Sequence, residues 1–69
     1  MIRHYSFENS SMLKDCSYDD ESEELTVTFT SGKSYTYIDV PRRTYDELID
    51  AKSAGKYFNL IKNSLVAKQ

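Results

Sequence analysis

Glu24-Leu25-Thr26-Val27-Thr28-Phe29-Thr30-Ser31-Gly32-Lys33-Ser34-Tyr35-Thr36-Tyr37-Ile38 is the stretch on which the fold turns. Leu25, Val27 and Phe29 alternate with threonines, so a strand here sends its apolar side chains to one face and its hydroxyls to the other. Ser34 to Ile38 is a second run of strand formers, and the pair reads as a β-hairpin. Its bend decides where the tyrosines point. A two-residue turn at Ser31-Gly32 would set Phe29 opposite Ser34 and turn Tyr35 and Tyr37 away from the apolar face. That turn needs a positive φ at Ser31, which suits Asn or Gly better than Ser. A three-residue loop, Thr30-Ser31-Gly32, requires only that Gly32 be left-handed. Val27 then opposes Tyr35 and Leu25 opposes Tyr37. This second register is the expected one.

Beyond the hairpin, Asp39-Val40-Pro41 stops the strand, and Pro41 suits a helix start, where its missing N–H costs nothing. Tyr45, Leu48 and Ile49 then fall at i, i+3 and i+4, one apolar stripe. Ser53 is the expected N-cap of a second helix, which carries Tyr57, Phe58, Ile61 and Leu65 at helical spacing. Neither helix buries its stripe alone, so both are expected on the apolar face of the sheet.

Ahead of the hairpin, Asp19-Asp20-Glu21-Ser22-Glu23-Glu24 is a polar connection with nothing apolar to bury. Before it, Ser10 to Tyr18 reads two ways: Leu13 and Cys16 are spaced like a helical turn capped by Ser10 or Ser11, while Met12, Cys16 and Tyr18 suit one face of a strand. A short capped turn running into a strand from Cys16 to Tyr18 is expected. The fold class is α+β: a three-stranded antiparallel meander with two C-terminal helices on one face, a short N-terminal helical turn remaining open. Residues 1–9 read as a flexible N-terminal segment, 10–63 as the domain and 64–69 as a tail.

Composition bounds the function. At 69 residues the chain is too short for a doubly wound nucleotide fold or a barrel. The formal net charge is −2, so nothing global advertises nucleic acid. The charge is uneven: residues 1–24 hold seven acids against Arg3 and Lys14, and residues 25–69 hold four acids against seven bases. One cysteine, Cys16, forms no internal disulfide, and with the single His4 it supplies no closed zinc site. No metal or other cofactor is expected. The start has no signal-peptide pattern and no stretch reaches the length of a membrane span, so a cytoplasmic protein is expected.

The spacing of Ser10-Ser11, Leu13, Cys16, Tyr18-Asp19, Leu25-x-Val27-x-Phe29, Ser31-Gly32, Tyr35-x-Tyr37, Val40-Pro41, Tyr45, Leu48, Ser53-x-Gly55-Lys56-Tyr57-Phe58-Asn59 and Ile61-Lys62 resembles the KTSC domain. That family is named for the C-terminal extension of some lysyl-tRNA synthetases and also occurs as free-standing small bacterial and phage proteins. The resemblance implies no established activity. It implies RNA binding by association with the synthetase, which is analogy rather than mechanism. The end, Asn63 to Gln69, departs from the family pattern in having fewer basic residues.

The candidate sites follow. Tyr35 and Tyr37 suit base-stacking if exposed and core packing if the bend is as expected. Lys56, Asn59 and Lys62 on the second helix, with Arg42, Arg43 and Lys52, suit a basic patch for phosphate, or else a solvated helix face. Asn59 also suits a bond to backbone between the helices. Cys16 reads as a small buried hydrophobe and the acidic run as a solvated loop, so no catalysis is expected. The leading expectation is a non-catalytic module binding RNA or a phosphate backbone. The alternatives are a protein-binding adaptor or regulator docking on a transcription or translation machine, through the acid-rich first half, the N-terminal segment around Tyr5 and Phe7 or an exposed strand edge, and self-association through Leu65-Val66.

Overall fold

Five strands form one antiparallel sheet in chain order: β1 (Ile2–Ser6), β2 (Leu13–Asp19), β3 (Glu24–Phe29), β4 (Ser34–Ile38) and β5 (Val66–Ala67). Helices α1 (Arg42–Asp50) and α2 (Ala54–Ile61) lie between β4 and β5, followed by a 3-10 turn at Lys62–Ser64. The structure, a computed structural model, describes residues 1–8 and 10–68; Asn9 and Gln69, which belong to the expected N-terminal segment and tail, lie outside the described residues.

The hairpin has the expected register. Val27 opposes Tyr35, Leu25 opposes Tyr37, and Gly32 takes φ 96°. The Phe29 amide donates to the Lys33 carbonyl at 2.8 Å, closing the three-residue loop. Leu25 and Val27 are fully buried, while Thr26–Thr36 and Thr28–Ser34 hydroxyl pairs at 2.9 Å line the opposite, uncovered face.

The expected three-stranded meander is corrected to five strands. Residues 2–6 pair along β2, with Tyr5 opposite Cys16 and Arg3 opposite Tyr18. Residues 66–67 pair with β4, Ala67 opposite Tyr37 and Val66 opposite Ile38. Both additions are edge strands built chiefly from backbone hydrogen bonds, which leave little hydrophobic pattern in the sequence.

The helical turn at the start of the domain is corrected as well. Leu13 already belongs to β2, and Ser10 Oγ accepts from the Leu13 amide at 2.9 Å, a local serine turn entering a strand. The three-residue step from Leu13 to Cys16 that mimics a helix is a β-bulge: Leu13 opposes Phe29 and Asp15 opposes Thr28, so Lys14 is the extra residue. A bulge restores both Leu13 and Cys16 to the buried face, where a regular strand would have split them.

Pro41 precedes α1 and Ser53 caps α2, its Oγ accepting from the Lys56 amide at 3.4 Å. Tyr45 of α1 stacks on Tyr18 of β2 with ring centroids 5.0 Å apart. Phe58 of α2 meets Phe29 and Tyr37 at 5.6 and 5.9 Å. The Tyr18 hydroxyl donates to the Val40 carbonyl at 2.6 Å, tying the sheet to the segment that enters α1. The core is therefore a single layer between the helices and one sheet face.

Candidate functional site

A groove of about 750 Å³ lies between the free side of β1 and the junction of the helices. One wall is His4 to Glu8; the floor includes Met12 and Ile49; the far wall is Ala51 to Lys56 with Asn59. Long-range pairing builds it. The register that sets Tyr5 beside Cys16 places Tyr5 on the helix side of the sheet, and the Phe7 amide donates to the Lys14 carbonyl at 2.9 Å, extending that wall. Tyr5 and Phe7 meet edge to face at 5.2 Å. Gly55 sits against Met12: a Cβ there would lie 3.5 Å from the Met12 Cβ, ordinary contact.

Of the residues expected to form a basic patch, Lys52 and Lys56, with the neutral Asn59, are brought together on the groove's far wall. Arg42, Arg43 and Lys62 do not line it. Arg42 pairs with Asp46 and Arg43 with Glu47 along α1, at 3.7 and 3.6 Å. Glu47 also accepts from the Tyr57 hydroxyl at 2.7 Å, so Arg43, Glu47 and Tyr57 form a chain joining the two helices. Burial and that bond push the Tyr57 phenol up. Glu8 is the acid on the groove's lining, against Lys52 and Lys56.

The tyrosines divide. Tyr37 is half-buried against Phe58, and burial pushes its phenol up, whereas Tyr35 is 47% exposed with its ring edge-on to Phe29. Sharing the face is not sharing the cover: α2 reaches Tyr37 but leaves Tyr35 in solvent. The Leu65-Val66 pair is split too, Leu65 packing on the core and Val66 lying exposed in β5.

Cys16 is buried, and burial raises its thiol from an ordinary 9.0 to about 12, so it has no thiolate character at neutral pH. The acidic connection has structural work. Asp20 lies 3.7 Å from Arg3 and is held below the usual carboxylate range first by its bond with the Met1 amine. The Glu21 amide donates to Asp19 Oδ1, and the Glu23 carbonyl accepts from the Val40 amide. Among the described residues no group of three His, Cys, Asp or Glu side chains is placed to hold a metal ion, and no helix is long and apolar enough to cross a membrane.

Tyr5 and Phe7, which the sequence offered as a surface for a protein partner, line the same groove as Lys52 and Lys56, and His4 is a lining residue that the sequence did not assign to any site. Their approach to Lys52 and Lys56 depends on strand pairing across a long separation, which no local pattern signals.

A small α+β domain with a helix-covered sheet and a groove at the sheet's edge is the class of protein this geometry defines. The KTSC domain model matches residues 9–64, and the chain belongs to the KTSC domain family. It is 40% identical over 52 residues to an uncharacterized protein of Stutzerimonas stutzeri, covering 75% of this chain and 73% of that one. A protein of Tsukamurella paurometabola is 36% identical over 50 residues, 72% of this chain and 75% of the other. A lysine–tRNA ligase of Nostoc punctiforme is 39% identical over 49 residues, which are 71% of this chain but 9% of the ligase. The crystal structure of a KTSC domain protein from Yersinia pestis superposes with a TM-score of 0.88 at 24% identity, covering 100% of this chain and 97% of that one, a likeness of fold.

Proposed function

We propose that this chain is a non-catalytic binding module that holds an anionic segment of another protein in the groove between β1 and the start of α2. The observation that carries this reading is the placement of Lys52 and Lys56 across the groove from an edge strand that, among the described residues, pairs on one side only. An unpaired strand edge offers a row of backbone donors and acceptors, and cationic side chains opposite it select negative charge.

Two features favour a protein segment over RNA. Arg42 and Arg43 spend their charge on neighbouring acids, and one tyrosine of the Tyr35–Tyr37 pair is half-covered, so no run of stacking rings backs a basic stripe. RNA through Lys52, Lys56, Asn59 and the outer Lys62 is the second reading, favoured by the lysine–tRNA ligases that carry a matching segment. A cytoplasmic setting accords with the single unpaired cysteine.

The test is a titration of isotope-labelled protein followed by NMR, with a Glu-rich peptide and with an oligouridylate, at about 50 and 200 mM salt. The expected result is peptide-dependent shifts at His4, Tyr5, Lys52, Lys56 and Asn59. Shifts with the oligouridylate alone, weakening steeply with salt, would move the assignment to RNA.

A further inference from the structure

The backbone geometry of β1 goes further than the presence of a groove. The Met1 carbonyl accepts from the Asp20 amide and the Phe7 amide donates to the Lys14 carbonyl, so odd-numbered residues of this segment turn their backbone groups inward to β2. Antiparallel pairing alternates, and the N–H and C=O groups of Ile2, His4 and Ser6 therefore point outward. No residue of β1 is a proline or a lysine, and the bulge of this sheet lies on β2 rather than at its rim. Proline, lysine and a rim bulge are among the devices that block sheet edges, and β1 lacks these three; its one inward-turned charge, Arg3, lies 3.7 Å from Asp20.

We propose that the groove is the side-chain half of a strand-addition site: an extended acidic peptide pairs with the outer edge of β1 as a sixth strand. The proposal rests on the protein-binding reading above and adds its mode. The pleat then dictates the pattern recognised. Residues of the incoming strand opposite Tyr5 and, just beyond β1, Phe7 turn into the groove, because both line it and Tyr5 lies on the helix-covered face. One such position meets the ammonium groups of Lys52 and Lys56; the neighbouring one, two residues along, meets the apolar surface of Tyr5, Phe7 and Ile49. Residues opposite Ile2, His4 and Ser6 supply the backbone bonds and face the uncovered side. The fitting ligand alternates, with an acid and an aliphatic or aromatic residue two apart. Glu8 on the groove lining opposes anions at one end and so favours placing the ligand's acid toward the helix junction.

The experiment uses a short peptide in which Thr alternates with Glu and Leu, in three forms: unmodified, N-methylated on the Thr amides, and N-methylated on the Glu and Leu amides. Strand addition predicts that the unmodified peptide binds with shifts at the Ile2, His4 and Ser6 amides. It predicts that methylation of the Thr amides weakens binding more than about tenfold, since their N–H groups meet β1, and that methylation of the Glu and Leu amides changes it by less than about twofold. A Lys52→Ala/Lys56→Ala protein should bind the unmodified peptide about three- to tenfold more weakly. His4→Pro, which removes an outward N–H and no bond to β2, should abolish binding while the thermal unfolding curve confirms that the fold persists. Equal binding of both methylated peptides, still dependent on the lysines, would overturn strand addition and leave the groove reading standing. Failure of every peptide at millimolar concentration would overturn both, and shifts induced by an oligouridylate alone would do the same in favour of RNA.

Discussion

β3 sits between two partner strands and buries Leu25 and Val27 completely, while β1 at one rim leaves Ile2, His4, Tyr5 and Ser6 exposed, and β5 at the other rim is two exposed residues long. All three are strands by hydrogen bonding. They differ in what else holds them. The centre is fixed by side chains: Tyr18 under Tyr45, and Phe29 and Tyr37 under Phe58. The rims are fixed by backbone bonds and a few surface charges, Arg3 with Asp20 and Lys68 with Glu24. Stability thus belongs to the middle of the sheet and availability to its borders, which is where a partner finds unpaired groups.

The sharpest way to break that division is at the helix layer. Leu48 of α1 is fully buried in the core, and Leu48→Ala should cost about 2–5 kcal/mol in chemical denaturation, a large part of the stability of so small a domain. A loss under about 1 kcal/mol would mean that the core is not the single layer between the helices and the sheet.

Next in size is the tie between sheet and helix entry. Tyr18→Phe leaves the buried Val40 carbonyl without its donor and should cost about 1–3 kcal/mol, with little change in the fold by NMR. The same buried layer sets the response to alkali. The Cys16 thiol ionises near 9.0 when exposed and near 12 in the fold, so below pH 9 it is protonated in both states. Between those values the unfolded chain loses its proton while the folded one keeps it, and stability falls as pH rises through the window. Burial raises the Tyr18 and Tyr45 phenols in the same direction. Denaturation midpoints should therefore drop above pH 9, and Cys16→Ala should flatten the decline.

A smaller effect is expected at the hairpin bend. Gly32→Ala meets nothing within 4 Å, so its cost, about 1–2 kcal/mol, is purely that of holding a residue with a Cβ at φ 96°.

That glycine also marks where the sequence was legible. Leu25-x-Val27-x-Phe29 displays a two-sided environment directly, and the conformation needed at Gly32 selects one register over another, so the hairpin was readable in advance, as were α1 and α2 as far as Ile61; Lys62 and Leu65, expected on the second helix, lie in and after the 3-10 turn that ends it. β1 was not. Its residues alternate Arg3 and Tyr5 against Ile2, His4 and Ser6, a pattern in which neither face is apolar, because an edge strand over an open groove has no face to bury. β2 was half readable, since the bulge at Lys14 shifts the apolar parity by one and imitates a helical spacing. The site divides the same way. Lys52, Lys56 and Asn59 carry their chemistry in their side chains and were identifiable; the groove they face exists only once Tyr5 pairs with Cys16.

The other rim supplies the finest test of the comparison. β5 is held by the Lys68 amide donating to the Thr36 carbonyl at 2.8 Å and by the Lys68 ammonium 3.1 Å from Glu24 Oε2. Both groups of the ion pair reach water, so Lys68→Met should lower global stability by less than about 1 kcal/mol. It should nonetheless speed amide exchange at Val66 and Lys68, since a two-residue strand has almost nothing else to resist fraying, while the Leu25 and Val27 amides keep their protection. If the β3 amides speed up in step with β5, the rim and the centre open as one cooperative unit. An edge strand could then be recruited or released only at the expense of the whole fold, and the separation of stability from availability on which the binding role depends would be lost.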